Sequence, residues 1–193
     1  MVLKTDPTMT MVQRRRFTRN EYHRMGEAGI LGPDERVELV DGEIVLMGPI
    51  GDFHADETTQ VAEVLPRAVG DRARLWVQNP IVLDPHWEPQ PDFCLVRRRS
   101  YRGGKPGPED IFLAVEIADT SLASDRDVKI PRYGSAGILE AWLVDLNNRR
   151  IFVFRDPFPE GYRSVQIFEA GSRLSLVAFP DVDLAFDDLL PPA

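Results

Sequence analysis

Apolar positions in this chain recur with two periods, and the switches between them predict an α/β order of elements. Thr18 followed three residues later by Glu21 has capping-box spacing, which predicts a helix from residue 19 to about 29. Gly32-Pro33-Asp34 is a turn sequence. Around Asp41-Gly42, the stretches 36–41 and 43–47 alternate as a hairpin does. Val61, Val64, Leu65 and Ala68 return at helical spacing within 52–70, where Pro66 predicts a kink or break. Residues 74–83 read as a strand bulged at Asn79-Pro80, 86–90 as a loop, and 93–96 as a short strand opened by Pro91-Asp92.

The stretch IFLAVEIA, 111–118, is apolar almost throughout, which predicts burial on both faces at the centre of a sheet. Ser121 or Ser124 is placed to cap a following helix that reaches about Ala136 and stops at Gly137. Residues 139–146 form a second buried strand, and strand, helix and strand together predict a crossover between parallel neighbours. After a turn at Asn147-Asn148, strands over 151–154, 164–169 and 174–177 make an antiparallel extension, with a final helical turn at 187–190. The expected whole is a mixed α/β sheet with helices on its faces: a single domain over 17–193 behind a flexible arm at 1–16.

Composition fits this picture, with 43% hydrophobic residues in 193. No apolar run approaches the roughly 18 residues of a membrane span, and the first ten residues lack the apolar stretch of a signal peptide, so a cytoplasmic protein is expected. The lone Cys94 makes neither an internal disulfide nor a zinc site by itself. A formal charge of −8 argues against a general nucleic-acid binder, though cations bound among acidic residues would offset it locally. Walker, GxGxxG, GxSxG and HExxH signatures are all missing, which removes support for nucleotide-cofactor and serine-hydrolase chemistry.

One charge stands inside the most apolar strand. Glu116 shares a face with Ala114 and Ala118, small neighbours that leave space beside it, and a carboxylate there is costly unless paired or bound to metal. If the strand opened by Asp92 is adjacent, the two carboxylates meet at one edge, a hard oxygen pair suited to Mg²⁺ or Mn²⁺. Lys129, on the next helix, either reaches back to the same place or makes an ordinary i,i+4 pair with Asp125. Glu38 in the first hairpin is either a third carboxylate of the site or a solvated strand residue, and His54 is a candidate for substrate binding. Arg98, Arg99 and Arg102, in the basic loop 97–105 with Tyr101 among them, are candidate phosphate contacts.

Taken in order, Glu38-Leu-Val-Asp41-Gly42-Glu43, His54, Gln78-Asn79-Pro80, Pro91-Asp92, Val115-Glu116-Ile117, Ser121, Asp125-Arg126, Lys129, Tyr133, Gly137-Ile138 and Trp142-Leu-Val-Asp145 resemble the Uma family of putative restriction endonucleases, a bacterial group within the PD-(D/E)XK nuclease superfamily. The resemblance spans about 17–190. It implies a restriction-endonuclease-like core with flanking helices, and a divalent-metal site in which Asp92 and Glu116 are the motif acids and the Ile117 carbonyl a further ligand. The superfamily's lysine usually stands two residues after the second acid. Here that position is Ala118, and Lys129 is the natural replacement, with Glu38 as the further acid.

The leading expectation is a Mg²⁺- or Mn²⁺-dependent endonuclease acting on DNA, with catalytic residues Asp92, Glu116, Lys129 and Glu38. The alternatives are a catalytically inactive nuclease-fold binding or scaffold protein, and an enzyme acting on RNA or a small phosphodiester. Nucleases of this fold often pair to cut two strands, which makes a homodimer plausible.

Overall fold

The computed structural model describes residues 14–48 and 51–192, with the side chains of 52–54 left aside. Helix α1 (Arg19–Glu27) starts at the expected capping box, where Thr18 accepts from the Glu21 amide and the Glu21 carboxylate accepts from the Thr18 amide. Strands β1 (Val37–Val40) and β2 (Glu43–Leu46) form the expected hairpin. Asp41 and Gly42 both take positive φ, 52° and 76°, the geometry that matches a two-residue turn to strand twist. Of the expected arm, residues 1–13 lie outside the described residues. Arg14 and Arg16 pair with Glu43 and Asp41 of the hairpin.

Six strands make the main sheet, in the order β3 (Arg74–Val77), β4 (Phe93–Val96), β5 (Ile111–Ala118), β6 (Glu140–Asp145), β7 (Arg150–Phe158), β8 (Gly161–Phe168). Only β5 and β6 are parallel, joined by the expected crossover helix. The other pairs are antiparallel. Alternation sorts side chains between two faces. Phe93, Leu95, Leu113, Val115 and Ile117 pack on one face beneath α2 (Asp52–Val69), through Val61, Leu65 and Val69. Strands β9 (Arg173–Leu176) and β10 (Phe179–Ala185), a separate antiparallel pair, and the short α4 (Phe186–Leu189) close the same side. The small side chains of Cys94, Ala114, Ala118 and Ala141 line the other face, against the crossover helix α3 (122–135).

Helix α3 covers 122–135 in three parts: α-helical at Leu122–Ser124, π-helical at Asp125–Lys129, and α-helical again at Ile130–Ser135. Gly137, at φ 90°, ends it as expected. The Ser121 hydroxyl makes no capping bond and instead donates to Asp125 at 2.5 Å. Gly134 lies so near β8 that a Cβ there would fall 2.1 Å from the Gly161 carbonyl oxygen. Main chain cannot yield as a flexible side chain does. Gly134→Ala is therefore expected to lower stability by about 3 kcal/mol, the upper end of ordinary overpacking, read from the urea midpoint.

Three expectations are corrected. Pro66 does not break α2, which runs on to Val69, and the lost amide falls in its last turn. The strand expected over 74–83 stops at Val77. Gln78 takes φ 44°, and Ile81 and Leu83 donate to Pro89 and Trp87 within a loop that folds back on itself. Strand β10 was not expected, because Pro180, Asp181 and Asp183 disguise it. Its pairing shifts register between Phe179 and Asp183, which accommodates them.

Candidate active site

Strand β4 starts three residues short of the carboxyl end of β5, and that shortfall builds the site. Phe93 pairs with Val115, so the Ile117 amide lies past the last rung of the ladder. Asp92 takes its place: Oδ2 accepts the Ile117 N–H at 2.7 Å. In an extended strand one residue's N–H and C=O point to the same side, so the Ile117 carbonyl also faces the gap. The Gln78 amide donates to the Asp92 carbonyl at 2.9 Å, and its side chain to Oδ1 at 3.4 Å.

Glu116 lies on the α3 face of β5, where the neighbouring alanines leave room for it. The π turn of α3 brings Lys129 over it. Its Nζ is 3.2 Å from Glu38 Oε1, 3.6 Å from Glu116 Oε1 and 3.9 Å from Asp125 Oδ1. One turn on, Tyr133 donates its hydroxyl to Glu116 Oε1. Glu38 arrives from β1 and accepts the Gln90 amide at 3.0 Å through its other oxygen. These four charged groups are exposed by only 5% (Glu38), 3% (Glu116), 4% (Asp125) and 9% (Lys129), so three carboxylates share one ammonium away from bulk water. They face a cavity of about 230 Å³ whose wall also includes Arg36, Leu46, Gln78, Asp119 and Ser121.

Burial sets the protonation of this cluster. It pushes the Glu116 carboxyl well above its ordinary value, with Asp125 and Asp92 adding to the rise and Lys129 opposing it. Burial also raises Asp125, again against Lys129. Desolvation pulls the Lys129 ammonium down, but Glu116, Glu38 and Asp125 outweigh it, and the group is held above its ordinary value as a permanent cation. Burial beside Glu116 raises Tyr133, which stays a donor. An acid whose folded pKa is raised contributes stability below its unfolded value that is lost as pH rises through the folded value. Stability attributable to Glu116 and Asp125 is thus present below about pH 4 and declines upward from there. In Glu116→Gln the loss of melting temperature between pH 5 and pH 8 is expected to shrink, by differential scanning calorimetry in chelator.

Other buried acids are fully engaged in structure. Glu140 accepts from Trp142 Nε1, from Arg155 and from the Val177 amide. Glu88 ties α1 to the body through Arg19, His23 and Lys105. The cleft acids instead turn toward open space. They are hard oxygen donors that fit Mg²⁺ or Mn²⁺ in chemical kind. Among the described residues no three His, Cys, Asp or Glu side chains group closely enough to hold a metal by themselves.

Asp92, Glu116, Ile117, Lys129 and Glu38 therefore come together. The His54 side chain lies outside the described residues. Arg98, Arg99 and Arg102 do not reach the cleft: their loop leaves the far end of β4, four residues from Asp92. Asp125, Tyr133, Gln78, Gln90 and Arg36 were not expected here. A signal for two of them was present in Ser121, Asp125, Lys129 and Tyr133, which recur every fourth residue along one side of a helix.

The Uma2 family model, described as putative restriction endonuclease, matches residues 19–187. The crystal structure of a putative nuclease from Anabaena variabilis superposes with a TM-score of 0.70 at 18% identity, covering 90% of this chain and 97% of the other. No curated protein matches. Among the described residues no helix is long and apolar enough to cross a membrane.

Proposed function

The chain belongs to the Uma2 family of putative restriction endonucleases, and from that membership and the cleft chemistry we propose a divalent-metal-dependent phosphodiesterase whose substrate is DNA. One observation supports this most: Lys129, from the helix after β5, supplies the ammonium that Ala118 lacks, 3.6 Å from Glu116. Asp92 and Glu116, with the Ile117 carbonyl, are the residues to hold Mg²⁺ or Mn²⁺. Such an ion polarises a phosphoryl oxygen and lowers the pKa of bound water.

Each side chain then has a part. Lys129 remains protonated, so it orients the attacking water and stabilises charge on the phosphate rather than acting as base. Tyr133 fixes the Glu116 carboxylate by donating to Oε1. Asp125 and Glu38 hold Lys129 in line. Arg36, exposed on the cavity wall, is positioned to meet a phosphate at the mouth.

Isothermal titration of Mg²⁺ and Mn²⁺ into the wild-type protein and into Asp92→Ala tests the reading. Binding in the first and none in the second is expected. No binding to the wild type, with or without an oligonucleotide, would favour a non-catalytic module on the same fold. Cleavage of RNA or of a small phosphodiester in preference to DNA would reassign the substrate and leave the site.

A further inference from the structure

The basic loop that misses the cleft lies elsewhere on the same surface. Strand β3 is an edge of the sheet and runs from Arg74 to Val77, with Gln78 of the cleft next. Arg74 pairs across to Val96, the residue before Arg97, so the start of β3 and the arginine loop share one end. Arg98 reaches Asp71 at 3.0 Å, and Tyr101 packs edge-on against Trp76 at 5.4 Å. Arg74 stacks over Trp76, and Arg99 over Tyr101. Arg72, Arg98 and Arg99 are matched by Asp181, Asp71 and Asp110. Arg74, Arg97 and Arg102 have no carboxylate at ion-pair distance among the described residues. In a chain of charge −8, this is a concentration of cations interleaved with aromatic rings.

Arg74, Trp76 and Tyr101 face the way the cleft does, whereas Arg97 stacks over Phe112 on the α2 side. Trp76 lies opposite Cys94, Cys94 lies opposite Ala114, and Glu116 is two residues on from Ala114 along β5, so all four project from one side of the sheet. Arg74 and Gln78 are four residues apart on β3, about 13 Å at strand rise. That is about four nucleotides of a duplex strand at 3.4 Å each.

We infer that Arg74, Arg98 and Arg102 form a second nucleic-acid contact, gripping backbone phosphates about four nucleotides from the one held in the cleft, with the free edge of β3 between them. This rests on the phosphodiesterase reading for its partner. It adds a direction and a minimum length to the substrate. Phosphate chemistry dominates such a grip, and stacked aromatics tolerate any base, so a nucleic-acid backbone is the ligand rather than a particular sequence.

Fluorescence anisotropy in chelator, where no metal supports cleavage, separates the two contacts. The probes are a labelled 16-base-pair DNA duplex, an RNA duplex of the same length, and a dinucleotide. The proteins are wild type, Arg98→Glu/Arg102→Glu and the single Arg102→Glu at an exposed loop position, the last guarding against misfolding of the double variant. The 16-mers are expected to bind the double variant at least tenfold more weakly, with a salt slope on the DNA duplex shallower by about 1.8 for two lost contacts. Dinucleotide binding and the Mn²⁺ titration are expected to stay as in the wild type. Equal DNA and RNA losses would show the backbone as the ligand; a loss confined to one would support the grip and name the polymer. Unchanged affinity and slope in both variants, or a wild type that binds 16-mers no better than the dinucleotide, would overturn the second contact. Wild type without Mn²⁺ binding, but with arginine-dependent 16-mer binding, would retain the grip and remove the phosphodiesterase.

Discussion

Asp92→Ala and Glu116→Gln, each alone, are expected to reduce metal-dependent cleavage of a DNA substrate by more than about 100-fold. Groups that merely orient metal ligands are worth 10–100-fold when removed, and these two are proposed as the ligands themselves. The pair also separates chemistry from architecture. Asp92 closes the sheet by accepting the Ile117 amide, so Asp92→Ala should cost stability as well as activity. Asp92→Asn keeps an oxygen for that amide and should retain most of the melting temperature while losing cleavage. If Asp92→Asn and Glu116→Gln both cut DNA at the wild-type rate, the active-site assignment is wrong.

Lys129→Met should have the largest effect on folding. It leaves Glu38, Glu116 and Asp125 buried together without their cation, and breaking a buried pair by removing one partner costs about 3–5 kcal/mol. The loss should depend on pH. Without Lys129, the only groups left to oppose burial among the described residues are the Tyr133 and Ser121 hydroxyls, so Glu116 and Asp125 rise further. Raised acids are stabilising when protonated, so the variant should recover toward wild type as pH falls to about 4–5 and be worst above neutrality. Urea denaturation at pH 5 and pH 8 reads the difference directly. A gap between wild type and variant that is the same at both pH values would mean that Lys129 contributes packing rather than charge.

What could be read beforehand follows from how far each signal acts along the chain. Glu116 was legible because a charge inside an apolar strand violates burial on its own. The β5–α3–β6 unit was legible because apolar runs, a helical stretch and Gly137 agree with one another. Lys129 was legible as one of two readings, which the family resemblance decided, since the same spacing serves a surface salt bridge to Asp125; the structure makes that bridge and the cleft contacts with one ammonium. Tyr133 and Asp125 read as ordinary helix residues until the fold brings them beneath β5. Residues 78–83 alternate like a strand but find no sheet neighbour, because Gln78 turns the chain away. The basic loop was legible as basic, and the strand at 93–96 already set its start at the opposite end from Asp92; its packing of Tyr101 on Trp76 was not legible, because that contact joins separate elements.

The π turn in α3 makes the helix intolerant of miscounting. Each residue of an α-helix advances the face by about 100°. Ile130, Tyr133 and Gly134, past the π turn, are fixed against the sheet and β8, while Asp125 and Lys129 belong to the turn itself. Deleting one residue between them would tighten the turn to ordinary pitch. The apolar half would keep its seat, and the upstream half would swing by about a quarter-turn. Asp125 would then leave the cleft although no side chain of the site had been altered. Insertions and deletions should therefore be far less permissible at 125–129 than in the loop at 97–107, where the chain can lengthen without rotating anything.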